Sequence, residues 1–155
     1  MSTPLHPLVV HFPIALLLVA VVFQFLALWK KSLFQNAALL LFGIGWVSGL
    51  VAYLTGDPAE EYAQERWGSG LRTIIHNHED LAFQTLVVFA IVIGLLLLNR
   101  YKPAKWIIPV VLVLSLVGGG LVAYTGHIGG QIVYDTNNVK QTDPVRPMNA
   151  EGDDD

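Results

Sequence analysis

The sequence predicts an all-α integral membrane protein, a four-helix bundle built from two duplicated helical hairpins. Of its 155 residues, 54% are hydrophobic and only 14% are charged, and the mean hydropathy is +0.54. Soluble globular domains contain about 25% charged residues. The charged residues also divide the chain into four uncharged runs, and a segment of the second run recurs in the fourth. Together these features place one domain in a lipid bilayer.

The four uncharged runs correspond to four predicted membrane-spanning helices. They contain 29, 25, 19 and 29 residues, and a helix needs about 20 apolar residues to cross a bilayer. Within a membrane domain covering residues 1–134, we expect helices at about 10–29, 33–55, 77–99 and 106–127. The first run lacks a basic start and is too long for the apolar region of a signal peptide, so cleavage is not expected.

Basic residues in the two short connections predict the orientation of the bundle. These connections contain five of the nine Lys and Arg residues and none of the twelve Asp and Glu residues. The five are Lys30, Lys31, Arg100, Lys102 and Lys105. Short loops rich in Lys and Arg remain in the cytoplasm. Both termini should therefore lie outside, which in the inner membrane of a bacterium is the periplasmic side.

Two polar segments are predicted on the outer side. The loop at 57–76 should contain a short amphipathic helix, with Asp57 as its N-cap and Pro58 in its first turn, lying across the outer mouth of the bundle. Residues 135–155 form a polar, acidic tail, and this composition predicts poor order.

An internal repeat relates the two halves of the chain. Residues 49–56 recur as residues 120–126 with one leucine deleted, at an offset of 70 to 71 residues. A repeat of two helices keeps the same orientation in both copies, so the hairpins should be related by an axis along the membrane normal.

Small residues recur every four positions in the second and fourth predicted helices. The series are Gly45 and Gly49, then Ser48, Ala52 and Gly56, and Ser115, Gly119 and Ala123. Such positions let two helix backbones approach closely. They would equally leave room for a flat cofactor, and the sequence leaves both interpretations open.

All five histidines fall near the outer ends of the predicted helices. They are His6, His11, His76, His78 and His127. A pathway across the membrane would place polar groups at several depths, whereas this one-sided placement predicts a site at one face. Histidines at an interface also commonly bond headgroups or loop carbonyls, and that structural role stays an alternative for each of them.

Helix geometry selects which histidines could share a metal ion. Successive helical residues are about 100° apart, so neither His6 with His11 nor His76 with His78 can bind one metal from a single regular helix. His11 and His78 each precede an alanine by four residues, which would leave space for a porphyrin edge. We therefore predict His11 and His78 as the metal ligands of a bis-histidine haem b. Haem attached through Cys-x-x-Cys-His is excluded because the chain has no cysteine.

Other residues are predicted to support this haem. His76 shares a helix face with Asp80 and should point to solvent. His127 could add a ligand or a hydrogen-bond donor, and a second haem would recruit His6 and His127. The candidates for contacts with the haem propionates are Arg66, Arg72, Tyr53 and Tyr124.

Three motifs resemble a bacterial family of four-helix membrane proteins of unknown function. Residues 5–17, LHPLVVHFPIALL, are similar to that family's opening, with the pattern His-Pro-x-x-Val-His-Phe-Pro. His78 with Glu79 fits its middle, and residues 125–134, TGHIGGQIVY, resemble its closing motif. The resemblance covers residues 4 to about 135. It implies a bundle like those of compact membrane b-type cytochromes, although the chain has no histidine for a haem on the cytoplasmic side.

Three classes of function remain open. The leading one is electron transfer, with a haem b near the periplasmic face that exchanges electrons with a quinol or a periplasmic redox protein. The second is binding or transport of zinc or copper, although Cu(I) is disfavoured because Met1 and Met148 are the only methionines. The third is a cofactor-free structural subunit of a larger complex.

The composition also limits the partners and activities that we expect. A net charge of −3 gives no basic surface for nucleic acid. We expect the lipid bilayer as a partner, with either a homo-oligomer or a larger membrane complex as the assembly. An enzyme with its own chemistry is the least supported class, because the predicted helices show no nucleophile–base pair and no paired carboxylates.

The charge distribution predicts the side on which the C-terminus lies. A reporter that fluoresces only in the cytoplasm, fused after Asp155, should stay dark because both termini are expected outside. Whole-cell fluorescence, with the same reporter inserted after Lys31 as a bright control, measures this. Bright cells with the C-terminal fusion would reverse the orientation.

Overall fold

The computed structural model describes residues 6–56, 60 and 72–142, and this part of the chain contains helices and no strand. The five helices are α1 (His6–Val9), α2 (His11–Leu26), α3 (Lys31–Leu54), α4 (Arg72–Tyr101) and α5 (Ile107–Thr142). Three segments are long and apolar enough to cross a membrane, namely Leu33–Leu54, Arg72–Tyr101 and Ile107–Ile132. The predicted all-α membrane bundle is therefore confirmed.

The first predicted membrane helix consists of α1 and α2 in near-continuous succession. Val10 between them has helical dihedral angles, φ −64° and ψ −27°, and its N–H donates to the carbonyl of His6 over 3.1 Å. The interruption at Val10 lies three residues before Pro13, which has no N–H to donate to the carbonyl of Val9. Residues 6–26 form a segment about 31 Å long, close to the about 30 Å hydrocarbon core of a bilayer.

The helices form a ring in which each packs against two neighbours. α2 contacts α3 and α5, and α4 contacts the same two helices, with the most extensive contacts inside the hairpins α2–α3 and α4–α5. The buried centre contains Leu17, Phe42, Phe89, Val92 and Val111. This contact pattern is what a two-fold axis between the hairpins would give, and the superposition of the halves stays a prediction.

The last two helices are longer than the sequence pattern predicts. α4 begins at Arg72 rather than near residue 77, so the predicted outer loop at 57–76 is shortened at its end. α5 continues to Thr142, past the predicted end near residue 127 and into the segment expected to be poorly ordered. Ile128, which is only 8% exposed, keeps the continuing helix packed on the bundle beyond Gly126. The amphipathic helix predicted after Asp57 lies outside the described residues.

Several of the small residues permit close packing between helices. A Cβ atom added to Gly45 would lie 2.9 Å from Leu17 Cδ2, and one added to Gly49 would lie 3.1 Å from Leu86 Cδ2. The tightest site is Gly118, where a Cβ atom would lie 2.7 Å from Phe89 Cζ. At these positions the structure supports helix packing rather than space for a cofactor.

Gly118→Ala should destabilise the bundle by about 1–3 kcal/mol, because an added methyl group overpacks a filled core. The Phe89 ring has no room to yield, since its exposed fraction is 0% and it packs against Phe42 with ring centres 5.5 Å apart. Thermal unfolding in detergent measures the change. Gly120→Ala is the matched control, because a Cβ atom there meets nothing within 4 Å; equal melting temperatures for the two variants would contradict this account of the packing.

Candidate functional site

Two histidines from different hairpins meet at the end of the bundle where α1 and α4 begin and α3 ends. The rings of His6 and His78 have centres 6.3 Å apart and planes at 85°. His6 is the first residue of α1, and His78 lies in the second turn of α4. The site therefore joins the first half of the chain to the second.

Each of the two rings is hydrogen-bonded through Nδ1 to a backbone carbonyl. His6 Nδ1 lies 2.9 Å from the carbonyl oxygen of Ala52, and His78 Nδ1 lies 3.1 Å from that of Thr125. A carbonyl oxygen only accepts hydrogen bonds, so each Nδ1 is the donor and carries the proton. In a neutral imidazole the lone pair then resides on Nε2.

The end of α3 explains why a carbonyl is available to His6. The last four carbonyls of a helix have no partner within the helix. The carbonyl of Ala52 accepts from the N–H of Thr55 over 3.2 Å and from the Thr55 hydroxyl over 2.7 Å. His6 Nδ1 also lies 3.2 Å from Thr55 Oγ1. His6 thus ties the start of the chain to the C-terminal end of α3.

Gly129 lets His78 approach the backbone of α5. A Cβ atom at Gly129 would lie 3.0 Å from His78 Cε1 and 3.5 Å from His78 Nδ1. The neighbouring hydroxyl oxygen, Thr125 Oγ1, is buried and has no hydrogen-bond partner within the described residues. The His78 contact therefore depends on glycine, which has no side chain, at position 129. It lies beside the unpartnered hydroxyl oxygen of Thr125.

The two histidine contacts fall in the two copies of the internal repeat. Ala52 lies in the segment at 49–56 and Thr125 in its copy at 120–126, and each receives a hydrogen bond from a histidine of the preceding helix of its own hairpin. The acceptors are not matched residues, because the repeat pairs Ala52 with Ala123 and Thr55 with Thr125. His6 and His78 therefore make similar contacts at the same end of their hairpins, at positions that the repeat offset does not align.

The other three histidines lie on exposed positions. His76 has 70% of its side chain exposed, and its ring nitrogens lie 3.8 Å from carboxylate oxygens of Glu79 and Asp80, in agreement with its expected direction toward solvent. His127 Nε2 lies 3.3 Å from the amide nitrogen of Gln131. His11 is on the exposed side of α2, and its predicted pairing with His78 stays a prediction.

The residues predicted to contact the haem propionates have different surroundings, and their role stays a prediction. The Tyr53 hydroxyl donates to Glu79 Oε1 over 3.4 Å, and Tyr124 is 55% exposed. Arg72 is exposed at the first position of α4, while Arg66 lies outside the described residues. In the part of the chain that the structure describes, no group of three or more His, Cys, Asp or Glu residues could hold a metal ion.

Sequence reasoning assigned a minor role to His6, which the structure places at the centre of the site. His6 stands between Leu5 and Pro7, a position that indicated a residue outside the first helix. The internal repeat at 49–56 and 120–126 was the sequence signal that could have pointed to this site, because each copy provides one of the two carbonyl acceptors.

Gly129→Ala should displace the His78 ring, because the new methyl group would lie within 3.0 Å of His78 Cε1. The Nδ1–H tautomer of His78, now held by the carbonyl of Thr125, should then lose population. Nitrogen-15 NMR of the histidine rings measures the tautomer directly. Gly130→Ala, at a neighbouring glycine with nothing within 4 Å, should leave the His78 signals unchanged; an unchanged spectrum for Gly129→Ala would refute the contact.

The comparisons with known proteins identify a family without a described activity. Residues 2–141 match the family described as "Predicted membrane protein (DUF2231)". No curated protein and no solved structure matches the chain.

Proposed function

The chain belongs to the DUF2231 family of membrane proteins, and from the geometry of its histidine pair we propose that it is a b-type cytochrome-like electron-transfer protein. In this proposal His6 and His78 would together hold one haem b at the outer end of the bundle. Its main support is the contact between two imidazoles from opposite hairpins, each of which donates a hydrogen bond from Nδ1 to a backbone carbonyl. The bacterial inner membrane and a periplasmic outer end belong to the same proposal.

The separation of the two rings agrees with two imidazoles that would hold one metal ion. A metal–imidazole nitrogen distance is about 2.0 Å, so two such rings would have their centres about 6 Å apart. The observed ring centres are 6.3 Å apart, with the ring planes at 85°. Because the ring of His6 lies against that of His78, we propose His6 rather than His11 as the partner of His78.

The hydrogen bonds prepare both rings for this role. Histidines that bind metal usually donate their other ring N–H to a carbonyl or carboxylate, which fixes the tautomer and the ring direction. The carbonyls of Ala52 and Thr125 do this for His6 and His78. Thr125 Oγ1, buried and unpartnered among the described residues, is a further polar atom available to a bound group.

A haem at this position would supply one-electron chemistry, with a potential set by its axial ligands and burial. The chain's part is to orient the two imidazoles, to hold their protons on Nδ1 and to keep the site at one membrane face. That position suits exchange with a quinol in the bilayer or a redox protein outside. Arg72, Tyr53 and Tyr124 remain candidates for contacts with the haem propionates. Because His6 would hold the first haem in this proposal, a second haem held by His127 would need a different histidine as its other ligand.

A structural role is the second candidate, and one observation favours it. The two Nδ1 hydrogen bonds, each within its own hairpin, and the ring contact between the hairpins are all complete without a metal, so the pair could serve only to stabilise the bundle. Zinc binding has less support, because structural zinc sites use four protein ligands and catalytic sites three, while this pair provides two.

The visible spectrum of protein produced with added haem distinguishes these functions. We expect a sharp Soret band and, after reduction, α and β bands of low-spin haem, with about one haem per chain. His6→Ala and His78→Ala should each abolish the low-spin spectrum, because each removes an axial ligand. His76→Ala, which changes an exposed histidine of the same helix, should leave it intact.

Two further measurements separate the alternatives. Size-exclusion chromatography and circular dichroism show whether a colourless variant is still folded. Loss of the spectrum in His11→Ala but not in His6→Ala would restore the pairing of His11 with His78. A colourless parent protein would refute the haem proposal; in that case tight zinc binding would favour metal handling, and unfolding of His6→Ala and His78→Ala would favour the structural role.

A further inference from the structure

An apolar groove of about 820 Å³ runs along the lipid-facing side of α3 beside α4. Apolar side chains form most of its wall, among them Leu40, Val47, Ile93 and Leu97. Its volume lies within the range of about 300–1,000 Å³ that is typical of small-ligand sites. One end of the groove reaches Val9 and Val51, close in sequence to the His6 contact, but its lining includes neither histidine of the pair nor their carbonyl acceptors.

The end of the groove opposite the histidine pair is cationic. Arg100 and Asn36 line it there, and Arg100 Nη1 donates to Asn36 Oδ1 over 3.1 Å. The two connections at this end of the bundle contain five basic and no acidic residues. A guanidinium group carries five N–H donors and suits phosphate. The groove thus combines an apolar length with a phosphate-binding end.

We propose that this groove binds an anionic phospholipid, with the phosphate at Arg100 and one acyl chain along α3 toward Val47. Asn36 and Val47 are eleven positions apart on α3 and so lie about 16 Å apart along its axis, about half of the 30 Å hydrocarbon core and therefore the depth of one leaflet. Basic pockets between membrane helices on the cytoplasmic side are known sites for anionic headgroups.

Gly43 lies in the middle of the groove and leaves space there for an acyl chain. It lines the groove, and a Cβ atom added there would meet nothing within 4 Å. A larger side chain at this position therefore fits the fold but occupies the space of the acyl chain. Because leucine also favours the helix more than glycine does, the substitution should not weaken α3.

The charge at the groove argues against a second copy of the chain as the occupant. A symmetric pair that meets through this surface would share an axis along the membrane normal, and the same residues would then face each other across it. Arg100 of one copy would approach Arg100 of the other, with no acidic residue in either adjoining connection to compensate. An anionic headgroup instead complements the charge.

Native mass spectrometry of the full chain with defined lipids tests the proposal. Dioleoyl phosphatidylglycerol should bind about tenfold more tightly than dioleoyl phosphatidylcholine. Arg100→Gln should remove most of this preference, and Gly43→Leu should weaken the binding of phosphatidylglycerol at least as strongly. The matched controls are Lys105→Gln in the same connection and Gly94→Leu, where a Cβ atom also meets nothing within 4 Å; both should bind like the parent.

The outcomes that overturn the proposal are distinct. Equal lipid binding by the parent, Arg100→Gln and Gly43→Leu would show that the groove is not the site. Competition by inorganic phosphate alone, at the same concentration as the lipid, would indicate an ion site without an acyl chain. A parent dimer that Gly43→Leu disrupts, with no lipid preference, would assign the groove to a second copy.

Discussion

Backbone carbonyls at the end of the bundle where α1 and α4 begin receive hydrogen bonds from two imidazoles, and the geometry of the candidate site depends on these contacts. In a bilayer an unsatisfied polar group costs several kcal/mol, so a donor that reaches a helix carbonyl has a strong preference for that position. The bonds from His6 to Ala52 and from His78 to Thr125 fix two rings that face each other across the two hairpins. The same bonds select the tautomer that leaves a lone pair on Nε2.

Close packing of the helices sets the positions from which these bonds are made. Gly45 and Gly49 admit side chains of α2 and α4 against α3, and Gly118 admits Phe89 against α5. Of these contacts, the one between Gly49 and Leu86 joins the two hairpins, and the other two lie within a hairpin. The lipid-facing surface of α3 remains open as the groove. In our proposals the end with the histidine pair would hold a cofactor and the basic end a lipid headgroup.

The sequence predicted the membrane bundle because charge placement depends on the bilayer more than on details of packing. It did not predict the full length of α5, because Gly126, Gly129 and Gly130 indicate a helix end. In the structure the helix continues through these glycines, since Ile128 is buried against the bundle. It predicted His78 as a haem ligand from the small residue one turn later, and that role stays a prediction. It gave His6 only a minor role, because the contact of His6 with His78 arises from the way the hairpins pack, and no spacing within one helix encodes that packing.

The meeting of His6 and His78 is the central claim, and solid-state NMR of the protein in lipid bilayers tests it most directly. With only the histidines labelled with carbon-13 and nitrogen-15, a cross-peak between two histidine rings is expected, because the ring centres are 6.3 Å apart. That cross-peak should disappear in His6→Ala and persist in His11→Ala. Its loss in His11→Ala and persistence in His6→Ala, or its absence from the parent protein, would contradict the account.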